Sequence, residues 1–146
     1  MASTVVAISI APGSRLPVKA VEEVVAEAGV GLVGDRYHGT KHRHVSIQAL
    51  DDLQAAAADL GSPVEPHATR RNLTVSTGPV PTKPGTRLSV GPVQLEVVRM
   101  AAPCSLLDDW IGRGAKKALH ARGGTICRIL EGGTIRLGDE LVVDGT

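Results

Sequence analysis

Cysteine, the most nucleophilic residue type here, occurs twice, at Cys104 and Cys127. Cys104 stands in the run Met100, Ala101, Ala102, Pro103, Cys104, Ser105, after a predicted strand and before a predicted helical turn. Proline ahead of it fixes the backbone, and a helix N-terminus after it stabilises a thiolate. That placement suits a nucleophile, a sulfur carrier or a ligand for a soft metal. The alternative is a buried, inert thiol. Cys127 lies inside an apolar run and reads as a packed strand residue. His38, His42 and His44 crowd into seven residues with Lys41 and Arg43. A zinc site needs three or four converging ligands, and this spacing matches no closed zinc pattern. A polar loop, or a histidine that protonates beside an anion or thiolate, are the readings left open.

Arginine outnumbers lysine, 11 to 5, although the net charge is only +1. The guanidinium fork pairs with phosphate and carboxylate in two-point contacts, so the bias points to a small anionic ligand. Arg70, Arg71 and Asn72 precede one predicted strand, and Arg122, Gly123 and Gly124 precede another. Arginine beside a glycine pair has the makings of a phosphate clamp, with backbone N–H groups added to the fork; solvated charges at strand starts are the alternative. The chain holds no Gly-x-x-x-x-Gly-Lys loop, no Gly-x-Gly-x-x-Gly and no Gly-x-Ser-x-Gly elbow.

The elements that must position these groups read mainly as strands. A chain of 146 residues predicts one domain, spanning 1–146, able to bury about 68–70% of its unfolded surface. Phe is absent and Tyr37 and Trp110 are the only aromatic rings of their class, so Val, Leu, Ile and Ala must build the core. Strands are expected at Thr4 to Ile10, His44 to Gln48, Asn72 to Ser76, Arg87 to Val90, Val93 to Val98, Thr125 to Leu130, Thr134 to Leu137 and Glu140 to Val143. Leu50 to Leu60, closed by Gly61 and Pro63, predicts the clearest helix. Short helical turns are expected at Ser105 to Trp110 and Ala115 to His120. Val18 to Ala28 has helical spacing but strand composition, and stays open. Gly29 to Lys41 reads as a glycine-rich loop. Many short strands with few helices predict a barrel-like β domain that closes its own edges.

Composition excludes several functions. The missing aromatics leave no platform for stacking bases, and the near-neutral charge argues against a nucleic-acid partner. No apolar run approaches a membrane span. No signal peptide is read at the N-terminus, so both thiols are expected to be reduced in the cytoplasm.

The segments Gly31 to Tyr37 (Gly-Leu-Val-Gly-Asp-Arg-Tyr), Arg43 to Gln48, Arg71 to Thr74, Gly85 to Gly91, Pro103-Cys104, Arg122 to Arg128 and Gly133 to Asp139 occur in the order and spacing of the MOSC domain. The chain resembles that family, named for the molybdenum cofactor sulfurase C-terminus, over nearly its whole length. The resemblance implies a mainly β fold, a closed or partly open β-barrel like that of pyruvate kinase, with a few short helices. It also favours strand for part of Val18 to Ala28. It implies the molybdenum cofactor (molybdopterin), a pterin with a dithiolene-held metal and a terminal phosphate. The family's signature cysteine falls on Cys104, which would carry sulfur or ligate molybdenum.

Under that resemblance Arg70, Arg71 and Arg122 are expected to pair with the cofactor phosphate. Gly123 and Gly124 would let it come close to backbone, and Asn72 would orient a pterin edge. Asp35, Arg36 and His38 complete the expected contacts, with a bracing Asp35–Arg36 pair as the alternative for the first two. Nothing in the chain resembles the pyridoxal-phosphate desulfurase domain of the large sulfurases, so a cysteine desulfurase or an electron-donor protein is the expected partner. Three functions compete: sulfur transfer through Cys104, reduction of N-hydroxylated compounds, and passive carriage of the cofactor. With only Tyr37 or Trp110 to stack on, recognition of the pterin is expected to rest on arginine forks, backbone groups and sulfur.

Overall fold

The computed structural model describes residues 2–13, 16–102, 107, 111–120 and 122–144. Cys104, Pro103 and Trp110 lie outside the described residues, as does most of the helical turn expected at Ser105 to Trp110.

Among the described residues eleven strands run in chain order: β1 (Ser3–Ile10), β2 (Lys19–Val21), β3 (Glu23–Glu27), β4 (Gly31–Leu32), β5 (Val45–Ala49), β6 (Leu73–Val75), β7 (Arg87–Val90), β8 (Val93–Met100), β9 (Thr125–Glu131), β10 (Gly133–Arg136) and β11 (Glu140–Val143). Seven of them close a barrel in the order β1, β11, β7, β8, β9, β5, β6 and back to β1. Closure removes the unpaired edges that an open sheet would expose. β2 pairs outside the ring on β1, and β10, β3 and β4 form a separate three-stranded sheet. All ladders of the ring are antiparallel except β5 with β6. Parallel neighbours need a long crossover, and helix α1 (Leu50–Leu60) supplies it, followed by a 3-10 turn at Pro66–Thr69.

The open segment Val18 to Ala28 is β2 and β3. Val24 and Ala26 are buried while Glu23, Val25 and Glu27 face out, the period of two that a strand demands. The helical spacing of its valines reflects composition alone, and pairing with β10, Val25 opposite Thr134, decides the outcome. Gly29 to Lys41 contains the short strand β4 within its turns.

Val, Leu and Ile fill the barrel, as the lack of Phe requires: Ile8, Leu32, Ile47, Leu73, Leu88, Leu95 and Ile135 are each at most 1% exposed. Helix α1 carries Asp51 and Asp52 in its first turn, where carboxylates favour the helix dipole. It ends at left-handed Gly61, whose N–H donates to the Ala57 carbonyl. Leu53 and Ala56 of α1 pack with Val64, Leu107 and helix α2 (Ala115–Ala118) in a second, smaller core beside the barrel. No helix among the described residues is long and apolar enough to cross a membrane.

Candidate functional site

Arg43 leads into β5, Arg71 into β6 and Gly123 into β9, while Ala102 follows β8. Together with Arg36, Tyr37, Thr69, Arg70, Leu107 and Leu119 they line a cleft of about 180 Å³. Four guanidinium groups face this space, and no carboxylate is among its described lining residues.

Arg36 and Arg43 are held by an aromatic ring. Their guanidinium carbons sit 4.6 and 4.2 Å from the centroid of Tyr37, inside the range of a cation–π contact. Among the described residues, Nε of each is buried without a hydrogen-bond partner. Burying a polar N–H unpaired costs about 1–3 kcal/mol. Burial, with Arg99 and Arg36 nearby, holds the Arg43 guanidinium below its ordinary pKa. Burial and then the charge of Arg36 do the same to Arg70. Like charges are thus crowded around this cleft, an arrangement that an anion relieves.

Arg70 and Arg71 are anchored through backbone carbonyls. Arg70 sits at φ 62°, the one non-glycine residue with a left-handed backbone among the described residues, just after the 3-10 turn. That conformation costs about 1–2 kcal/mol, and it turns the chain so that consecutive arginines both reach the cleft. The Arg70 guanidinium donates to the carbonyls of Leu16 and Gly13. Arg71 is buried, and donates from Nε to Gly123 at 3.1 Å and from Nη2 to Ala102 at 3.0 Å.

A family model for the MOSC domain matches residues 34–142. The chain belongs to the MOSC domain family. That family is linked to binding of the molybdenum cofactor. Solved structures repeat the fold at low identity. The YuaD protein of Bacillus subtilis superposes with a TM-score of 0.85 at 19% identity, covering 98% of this chain and 96% of that one. YiiM from Geobacillus stearothermophilus gives 0.77 at 18%, covering 97% and 74%. YiiM from Escherichia coli gives 0.75 at 16%, covering 100% and 71%. A search of curated proteins returned no match.

In this MOSC chain the residues expected at the site divide into two groups. Arg36, Arg70, Arg71 and Gly123 line the cleft. Asn72 instead spends its whole amide inside the fold. Its Oδ1 accepts from Ser46 N–H (3.0 Å) and Ser46 Oγ (3.1 Å), and its Nδ2 donates to Ser9 O (3.1 Å) and Asp35 Oδ1 (3.2 Å). Two donors and two acceptor sites are all that an amide has. Asp35 braces the glycine-rich loop, accepting from Ala11 N–H at 2.9 Å and Tyr37 N–H at 3.3 Å rather than through a pair with Arg36. Arg122 reaches Asp59 of α1 at 2.6 Å and lies off the cleft wall.

His38 meets Glu27 at 2.5 Å on the exposed surface. His44 is buried with both ring nitrogens used: Nε2 donates to Thr40 O at 2.7 Å and Nδ1 accepts Ile129 N–H at 2.9 Å. No group of three or more His, Cys, Asp or Glu side chains suited to a metal ion occurs among the described residues. Gly124 approaches protein rather than a ligand, for a Cβ there would lie 1.8 Å from Ile47 O. Cys127 is fully buried in β9, and burial pushes its thiol up to about 12.

Arg43 and the clamping role of Tyr37 were not legible in the sequence. Arg36 and Arg43 are seven positions apart, and only the fold of the loop lays both over one ring. The arginine bias was the signal available.

Proposed function

We propose that this protein binds a molybdopterin-type cofactor with its phosphate in the arginine cleft, and that Cys104 carries sulfur. The observation that supports the first part is a cleft lined by four arginines and by no described carboxylate. A phosphate dianion presents several acceptor oxygens and suits guanidinium forks. Arg36, Arg43, Arg70 and Arg71 would hold it. The residues present fit that end of the group. When bound, the cofactor supplies a molybdenum centre on two dithiolene sulfurs, a soft metal that accepts sulfur donors.

Cys104 is read from its sequence context. Ala102 and Leu107, the described residues that flank segment 103–106, both line the cleft, which supports placing sulfur chemistry beside the arginines. The thiolate of Cys104 would attack the terminal sulfur of a persulfide on a donor protein of the cysteine desulfurase class. The donor's S–S bond breaks, a Cys104 persulfide forms, and the donor leaves as a thiolate that takes up a proton.

Anaerobic purification from a host that makes the cofactor tests both parts. The expected result is molybdenum and pterin with the wild-type protein, and a mass gain of one sulfur on Cys104 after incubation with a desulfurase and cysteine. Absence of pterin from wild type overturns the binding proposal. Turnover of an N-hydroxylated compound with a supplied reductant, and no persulfide, overturns sulfur transfer in favour of reduction.

A further inference from the structure

Tyr37 is the aromatic ring among the described lining residues. Its ring is engaged by two guanidiniums, at 4.6 and 4.2 Å from the centroid. The backbone of Tyr37 is rooted on both sides. Its N–H donates to Asp35, itself buried, and its carbonyl accepts the Thr40 hydroxyl at 2.8 Å. The same hydroxyl lies 3.0 Å from the Arg43 carbonyl, which ties the backbone of the ring to that of one of its arginines. Arginine has a long, flexible stem, and a free guanidinium loses much rotamer freedom when it closes on a ligand. A ring that already holds the guanidinium plane removes most of that loss before the ligand arrives.

We infer that Tyr37 is a positioning residue: its ring pre-sets Arg36 and Arg43 as a two-armed fork for a tetrahedral oxyanion of the phosphomonoester class. The inference rests on the cofactor reading for the natural ligand, but not for its test. Both arms line a cleft that no described carboxylate lines. The ring acts through its face, so the hydroxyl of Tyr37 is dispensable and the aromatic plane is not.

Inorganic phosphate is the probe, titrated at constant ionic strength into wild type, Tyr37→Phe, Tyr37→Leu and the Arg36→Gln/Arg43→Gln double variant. The Nε–H resonances of arginine report binding and ring position together. Phe is expected to keep phosphate affinity within about twofold, and Leu to weaken it about tenfold, the scale of one lost cation–π contact. Upfield ring-current shifts of two arginine Nε–H signals should persist with Phe and vanish with Leu. A folded Tyr37→Leu protein that binds phosphate as wild type does overturns the positioning role alone, leaving the anion cleft intact. Failure of wild type to bind phosphate, or full binding by the double arginine variant, overturns the fork itself. Weakening by Phe as large as by Leu assigns the effect to the hydroxyl and also overturns the inference.

Discussion

Gly124→Ala is predicted to be among the most damaging single-methyl additions in this chain. Gly124 has φ +86°, and its added Cβ would lie 1.8 Å from the Ile47 carbonyl oxygen, 2.7 Å from its carbon and 2.9 Å from Gln48 Cα. Those atoms belong to β5, whose Ile47 pairs with Leu73 on one side and Thr125 on the other. No flexible side chain can swing away, so backbone must move by more than an ångström. The left-handed conformation alone costs an alanine about 1–2 kcal/mol. Overpacking adds about 1–3 kcal/mol. Displacing the Gly124 carbonyl from the Ala101 N–H it accepts at 2.9 Å adds about 1 kcal/mol. The sum is about 4 kcal/mol, which lowers Tm by about 8–16 °C in a chain of this size. Gly39→Ala is the control, because Gly39 has φ +98° but nothing within 4 Å of an added Cβ. It should lose only the conformational part, about 1–2 kcal/mol. Urea unfolding followed by circular dichroism measures both. Equal destabilisation of the two variants would refute the close-approach argument and leave only backbone conformation.

Asn72→Ala should destabilise by about 3 kcal/mol or more, because Ser46 N–H, Ser9 O and Asp35 all lose a buried partner. A loss below about 1 kcal/mol in the same urea assay would contradict the accounting of its amide. His44 yields a pH prediction. Burial, opposed by its bond to Thr40 and reinforced by His42 and Arg128, lowers its pKa below the ordinary 6.5. The unfolded chain therefore binds the proton first, so this contribution is complete above pH 6.5 and declines as pH falls below it. The slope should approach at most about 1.4 kcal/mol per pH unit, and His44→Gln should flatten it; an unchanged slope in the variant would assign the effect elsewhere. Cys127, with its thiol pushed up to about 12 and fully buried, should resist iodoacetamide in the native protein and react only on unfolding. Native-state alkylation of Cys127 would contradict its packed position in β9.

Much of the architecture was legible because strands leave a local mark. Val93, Leu95 and Val97 alternate with polar neighbours in sequence and are buried in β8, and Gly61 ends α1 at the position its sequence announces. Val18 to Ala28 resisted reading because valine favours strands while its spacing here also fits a helix, and the partner that decides, β10, lies over a hundred residues away. The site was legible by residue type more than by position. Arg70 and Arg71 line the cleft, and neighbouring Asn72 does not, because its amide is taken up by Ser46, Ser9 and Asp35. Arg122 and Gly124 bracket Gly123 but serve Asp59 and β5 instead. Arg43 carried no motif of its own, since its place over Tyr37 is a product of the loop's fold.

The pterin and molybdenum content of wild type and of the Arg36→Gln/Arg43→Gln variant, purified anaerobically side by side, tests the arginine cleft as the cofactor site most directly. The account predicts cofactor with wild type and none with the variant, at a variant Tm close to that of wild type. Equal cofactor in both proteins would contradict it.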